Sequence, residues 1–383
     1  MSARATPFAA AFVAITAVSI AQPAVAGDLD PPAGPIQSTM KQLDAVEPRI
    51  ALSAENTPGR EEFADGIRPC TYLISEPGSY YLTQDLIGEP GKVGVFVNVS
   101  GVSIDLMGFT LRGVEGSMAG IIIDGGVGVS IQNGVIRDWD DDGLFAGSTH
   151  NVRIADVHAI DNGDDGISAG PNSVITNCIA ANNTDIGISA STSSIVLGCV
   201  SRNNGDDGFS GLDSTIIVNS VAENNDSDGI LAGRTTLVVD CAARDNDENG
   251  INCLNFEAMI LRCAAARNGE NGIIASARCY VRENTCDSNG QIVPSSGAGI
   301  RVTSSAARVE ANHCTDNVRG FIGVGSPSLI IRNTASGNTV ANWDIPSGNV
   351  CWVLFANTTA AEVNGNSGGI FAGTSSAWVN WTY

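Results

Sequence analysis

The stretch Asp161-Asn162-Gly163-Asp164-Asp165-Gly166-Ile167 returns 42 residues later as Asn203-Asn204-Gly205-Asp206-Asp207-Gly208-Phe209. Halfway between them lies a looser copy, Asn182-Asn183-Thr184-Asp185-Ile186-Gly187-Ile188. Working outward from these turns, a glycine followed by an apolar residue recurs at Gly120, Gly143, Gly166, Gly187, Gly208, Gly229, Gly250, Gly272, Gly299 and Gly320. The spacing is 21 to 23 residues, apart from one interval of 27. An asparagine keeps the same beat four residues ahead of most of these glycines, at Asn162, Asn183, Asn204, Asn225, Asn246 and Asn268, and continues at Asn289, Asn317 and Asn338. A unit this short cannot bury its own apolar face, whereas stacked copies share one continuous core.

Each unit holds short apolar runs such as Ser194-Ile195-Val196-Leu197-Gly198-Cys199, separated by Gly, Asn and Asp. Runs of this length between turn formers are strands, and none is long enough for a helix. The expected fold is therefore an all-β parallel solenoid of about 10 to 12 coils, each of 21 to 23 residues. At ~4.8 Å per rung, ten rungs span roughly 48 Å. A leucine-rich repeat is excluded, since it needs several leucines per unit and residues 166–186 contain none.

The paired turns Asn203-Asn204-Gly205-Asp206-Asp207-Gly208 and Asp161-Asn162-Gly163-Asp164-Asp165-Gly166 carry a resemblance to a known family. The strand Pro77-Gly78-Ser79-Tyr80-Tyr81-Leu82 and residues 102–111 add to it. With these motifs the chain resembles the right-handed parallel β-helix repeat family of the pectin-lyase-like superfamily, over residues 70–345. The resemblance implies a right-handed coil. Several of its families are polysaccharide lyases, epimerases and hydrolases, so a polysaccharide partner is implied, while a fold shared this widely does not fix a function.

Composition narrows the partners. The 383 residues carry 41 acidic and 20 basic side chains, a net charge of -21, and their only lysines are Lys41 and Lys92. Such a chain repels nucleic acid and anionic lipid. Residues 1–26, with one Arg4, an apolar stretch from Phe8 to Ile20 and Ala24-Val25-Ala26, read as a secretory signal cleaved near Ala26. The mature chain is expected to be secreted, periplasmic or held at the cell envelope, with no integral membrane segment. Residues 27–69 form a lead segment or N-terminal cap, residues 70–345 the solenoid, and residues 346–383 a C-terminal cap. Tryptophans at 343, 352, 378 and 381 mark the end of the repeat.

In a stacked solenoid, residues one period apart become neighbours, and the sequence can be read as columns. Cys178, Cys199, Ser220, Cys241 and Cys263 share one column, with Cys286 and Cys314 two positions further along the same inward face. They read as small buried thiols. The asparagines should form a ladder of side-chain amides. Two acidic columns precede the repeating glycine: Asp142, Asp165, Ile186, Asp207, Asp228, Asn249 and Asn271, and one step earlier Asp141, Asp164, Asp185, Asp206, Ser227, Glu248 and Glu270. Residues 138–250 hold 19 acids against four arginines, while residues 251–383 hold eight of each.

Carboxylates ~4.8 Å apart repel by roughly 1 kcal/mol per pair in water and ~3.5 kcal/mol at an effective dielectric of 20. Two readings follow. Asp-Gly and Asn-Gly are good turn formers that fan into solvent. Alternatively Asp164, Asp165, Asp185, Asp206, Asp207 and Asp228 gather a calcium ion, which favours oxygen ligands with several carboxylates.

Catalysis finds partial support. The resemblance to polygalacturonase-like members reaches Asn183-Thr184-Asp185 and Asp206-Asp207, a carboxylate pair that would suit general acid and base chemistry. The Gly-His-Gly and Arg-x-Lys elements of those enzymes are absent. No lysine follows Lys92 to serve as a lyase or epimerase base, and calcium on Asp185, Asp206, Asp207 and Asp228 with an arginine such as Arg202 or Arg234 would resemble a pectate-lyase arrangement. Residues 146–255 contain one aromatic, Phe209, and so offer few platforms for sugar rings. The reading that weighs most is an exported, non-catalytic structural or carbohydrate-associated scaffold. Its alternatives are a calcium-assisted lyase or epimerase, and a glycoside hydrolase using paired Asp.

Overall fold

The computed structural model describes residues 49–253, 256–292, 297–324, 326–355, 363–365 and 378–382. The expected secretory signal, the first part of the lead segment and residues 293–296 of the insertion between Gly290 and Gly297 lie outside them. The described strands belong to one unit, Pro48–Tyr383.

Residues 166–186 show how a coil is built. Ile167–Ala169 forms side I, Val174–Thr176 side II and Ile179–Ala181 side III. Most strands have three residues, shorter than the sequence suggested, because a turn interrupts the chain at each corner. Asn177 and Asn182 hold positive φ of 54° and 57° at the corners before and after side III. Asn219, Asn203, Asn224, Asp240 and Asp245 repeat that conformation, which Asn and Asp tolerate better than other side chains.

Every coil pairs in parallel with the next. Side I is a 15-stranded sheet among the described residues, and sides II and III together form one of 26 strands. The described residues contain no helix, and none is therefore long and apolar enough to cross a membrane. The ladder comprises about 12 turns. Parallel pairing continues past residue 345, through Val350–Cys351 and Asn380–Thr382.

The core follows directly from the register. On side I, Ile167, Ile188, Phe209, Ile230, Ile251, Ile273, Ile300, Phe321 and Trp343 stack one above another, all essentially inaccessible. Phe321 and Trp343 lie face to face, with ring centroids 4.5 Å apart. Burying each such side chain contributes about 1.5–3 kcal/mol. The repeating glycine is needed for close approach: a Cβ on Gly166 would sit 2.6 Å from Asn183 Nδ2 and 2.7 Å from Gly187 O.

Candidate functional site

The corner between sides III and I contains the repeated turn, and its hydrogen bonds explain the column order. Asn183 Oδ1 accepts both the backbone N–H of Asn162 (3.2 Å) and its Nδ2 (2.9 Å). Asn183 repeats this pair of bonds to Asn204, Asn204 to Asn225, Asn225 to Asn246, and Asn246 to Asn268. The expected amide ladder is present and fully buried across this span. A second ladder, which the sequence reading missed, runs through Asn284, Asn312, Asn333 and Asn380. It occupies the column held by Cys178, Cys199 and Cys263 in earlier coils, and begins where Asn284 Oδ1 accepts the Cys263 N–H. All ten cysteines are buried and free.

The column immediately before the glycine is also a ladder. Asp165 Oδ1 accepts the N–H of Ile186 (3.1 Å), Asp207 Oδ1 that of Asp228 (3.0 Å), and Asp228 Oδ1 that of Asn249 (3.0 Å). Asp207 and Asp228 are thereby buried rather than fanned into solvent, and Asp142 is buried as well. Burial, followed by repulsion from neighbouring acids, pushes the Asp142 carboxyl up to about 8 and those of Asp165 and Asp207 up to about 7. Asp228 is raised by burial as well, but its charge is partly met by Asn249 Nδ2 (2.8 Å) and Asn252 Nδ2 (2.6 Å).

The outer column lies one residue earlier and is less enclosed. Asp185 and Asp206 are both raised, first by desolvation and then by the adjacent acid, and Asp185 is within hydrogen-bonding contact of Asp164 and Asp206. Carboxylate oxygens of Asp164, Asp165 and Asp185 all fall within 4.8 Å of one another, and so do those of Asp141, Asp142 and Asp164. Oxygens ligating one calcium at 2.3–2.6 Å are separated by at most about twice that distance, so both trios have a compatible span. The donor set is hard and anionic.

Of the six residues named from sequence, Asp164, Asp165 and Asp185 therefore converge, with Asp206 beside Asp185. Asp207 and Asp228 form successive rungs of the inner ladder. Of the two arginines considered with them, Arg202 immediately precedes the acidic turn and Arg234 lies at the corner between sides I and II. Arg202 ends a side III strand in register with Glu223, and Arg234 sits 6.0 Å from the centroid of Phe256, its backbone N–H donating to Asp213.

Residues 91–215 and 119–260 match the family described as the right-handed beta helix region. The chain folds as a right-handed parallel β-helix. Its solved-structure relatives include the A-module of the Azotobacter vinelandii mannuronan C-5 epimerase AlgE4, with 17% identity, a TM-score of 0.59, and coverage of 76% of this chain and 91% of that one. The AlgE6 A-module from the same organism gives 13% identity, a TM-score of 0.51, and coverage of 81% and 91%. The catalytic domain of Agl-KA gives 10%, 0.50, 78% and 62%. At these identities the likeness is one of fold. No curated protein sequence matches the chain.

Two features of this β-helix escaped the candidate set. Asp141 and Asp142 share the acidic columns one coil earlier and complete a second trio; counting back one period from Asp164 and Asp165 finds them. Asn249 and Asn271 extend the inner column in neutral form, with Asn271 Nδ2 donating to Asn249 Oδ1 (2.9 Å), and Asn252 reaches Asp228 from side I.

Proposed function

We propose that the protein is an exported β-helix scaffold that associates with polysaccharide without cleaving it, and that its acidic corner holds calcium. The observation that carries this reading is the inner ladder. Asp165, Asp207 and Asp228 each commit a carboxylate oxygen to the backbone of the next coil, so these acids are part of the coil-to-coil joint rather than free to meet a substrate. The outer acids then supply the exposed charge, with Asp164 and Asp185 as the central ligands beside Asp165, Asp206, Asp207 and Asp228. Export rests on the character of residues 1–26. The polysaccharide partner rests on the fold shared with sugar-active proteins.

A second reading has its own observation. Carboxyls raised to about 7 and 8 are poised for proton transfer near neutral pH, as a calcium-assisted lyase or epimerase would require. One assay separates the two. The mature protein is incubated with uronate and neutral polysaccharides, with and without calcium, while unsaturated products, inverted sugars and new reducing ends are followed. The scaffold reading expects retention of a polysaccharide without turnover. Turnover that is lost in Asp206→Asn or Asp207→Asn would overturn it.

A further inference from the structure

Apart from Thr176, the outer surface of side II is aliphatic in both of its rows over five coils. On a sheet with one solvated face, side chains alternate between apolar and polar; strands apolar on both faces are those buried on both faces. Five consecutive side II strands read Val-Ile-Thr, Ile-Val-Leu, Ile-Ile-Val, Leu-Val-Val and Met-Ile-Leu. Their central residues, Ile175, Val196, Ile217, Val238 and Ile260, fill the core. The flanking residues point outward in two aligned rows: Val174, Ile195, Ile216, Leu237 and Met259 form one, and Thr176, Leu197, Val218, Val239 and Leu261 the other. Ile195, Leu197 and Met259 retain 37%, 39% and 40% of their surface.

This strip has ends. Toward the N-terminus the rows meet Arg153 and Ala155, and toward the C-terminus they meet Tyr280 with Arg308 and Arg282 with Glu310. The other sides carry different outward rows. Over three of these coils side I presents Ser168, Ser189 and Ser210, while side III presents one aliphatic row, Ile179, Val200, Val221 and Ala242, and one charged row, Arg202, Glu223 and Arg244. The strip is therefore a bounded patch five coils long, about 24 Å at the usual strand spacing.

We propose that this strip is a homotypic interface, buried against the same strip of a second copy of the chain. Its outward aliphatic side chains, of which Val239 alone is buried, would form the apolar core of an interface to which each partner contributes ~800 Å². A second copy matches the strip best for a geometric reason. Rows of aliphatic side chains at one coil spacing interdigitate along their whole length only with rows of the same spacing, as in face-to-face sheets about 10 Å apart. A two-fold axis makes such a contact self-complementary and closed. Charge does not prevent it. The acidic corner lies between sides III and I, opposite side II, and at the corner beside the strip Arg262 Nε is 2.8 Å from Asp240 Oδ1.

The test is the mass of the full mature protein in solution, by light scattering and sedimentation over a hundred-fold range of concentration. The wild type is expected to be a dimer, tightened by salt as repulsion between the acidic corners is screened. Leu197→Lys with Ile216→Lys should raise the dissociation constant at least 100-fold, whereas Ser189→Lys on side I should leave it unchanged. Both changed aliphatics face outward, so the far-ultraviolet spectrum should be retained; Leu237→Glu provides a second, single-site disruption should the double variant misfold. A monomer at every concentration, or a dimer indifferent to both disruptions or weakened by salt, would overturn the proposal.

Discussion

One corner of this solenoid exists in two chemical versions. From Asp142 to Asp228 the inner column is acidic, except for Ile186, while further on it becomes Asn249, Asn271, Ala298 and Arg319. The backbone hardly distinguishes them: Gly208 N–H bonds to Asp228 O at 2.9 Å, and Gly250 N–H bonds to Asn271 O at the same distance. The amide also reproduces the carboxylate's structural task, since Asn249 Oδ1 accepts the Asn271 N–H much as Asp228 Oδ1 accepts that of Asn249. The turn therefore does not need a charge. Where the acids stand, burial and then mutual repulsion raise their affinity for a proton, and a neutral amide would spare the fold that cost. This difference is the physical argument that the acidic version has a use beyond making a turn.

The largest expected effect falls on what both versions share. Asn225→Leu removes the acceptor for the N–H and Nδ2 of Asn204, together with the donor to Asn246 Oδ1 at 2.8 Å. Buried groups left unpaired cost about 1–3 kcal/mol each, so destabilisation of at least ~3 kcal/mol is expected in denaturant unfolding. A variant that melts like the wild type would show that the ladder is incidental.

A smaller effect distinguishes the versions by pH. Asp142, Asp165 and Asp207 bind a proton more tightly folded than unfolded. Below the unfolded value near 3.8 both states are protonated and the contribution is complete; it is lost as pH rises through the folded values of about 7 and 8. In calcium-free buffer, the melting temperature should therefore fall between pH 5 and pH 8. Asp207→Asn should flatten that slope and raise stability at pH 8. A profile that climbs toward pH 8 would mean that the acids are already neutralised by something else.

Much of this was legible in the sequence because a solenoid turns period into proximity. The glycine and asparagine beats fixed the coil length, and the acid columns fell where counting placed them. Depth was not legible. Asp207 and Asp206 are adjacent and identical in type, yet one is buried beneath the next coil and the other lies in the less enclosed outer column. The second amide ladder was hidden by a change of residue, since the column that reads Cys241 and Cys263 continues as Asn284. The aliphatic strip was hidden for the opposite reason: Ile195-Val196-Leu197 looks like any core strand until the register shows that only Val196 points inward.

The central claim, that the acidic corner is kept for a cation, is tested most directly by melting the calcium-free protein at pH 8 while calcium is added. The wild type should gain stability by RT ln(1 + [L]/Kd), with a much smaller gain at pH 5 where the buried carboxyls are protonated. Asp164→Asn combined with Asp185→Asn should abolish the response while leaving the fold intact. An unchanged melting temperature in the wild type, or an equal gain in the double variant, would contradict the account.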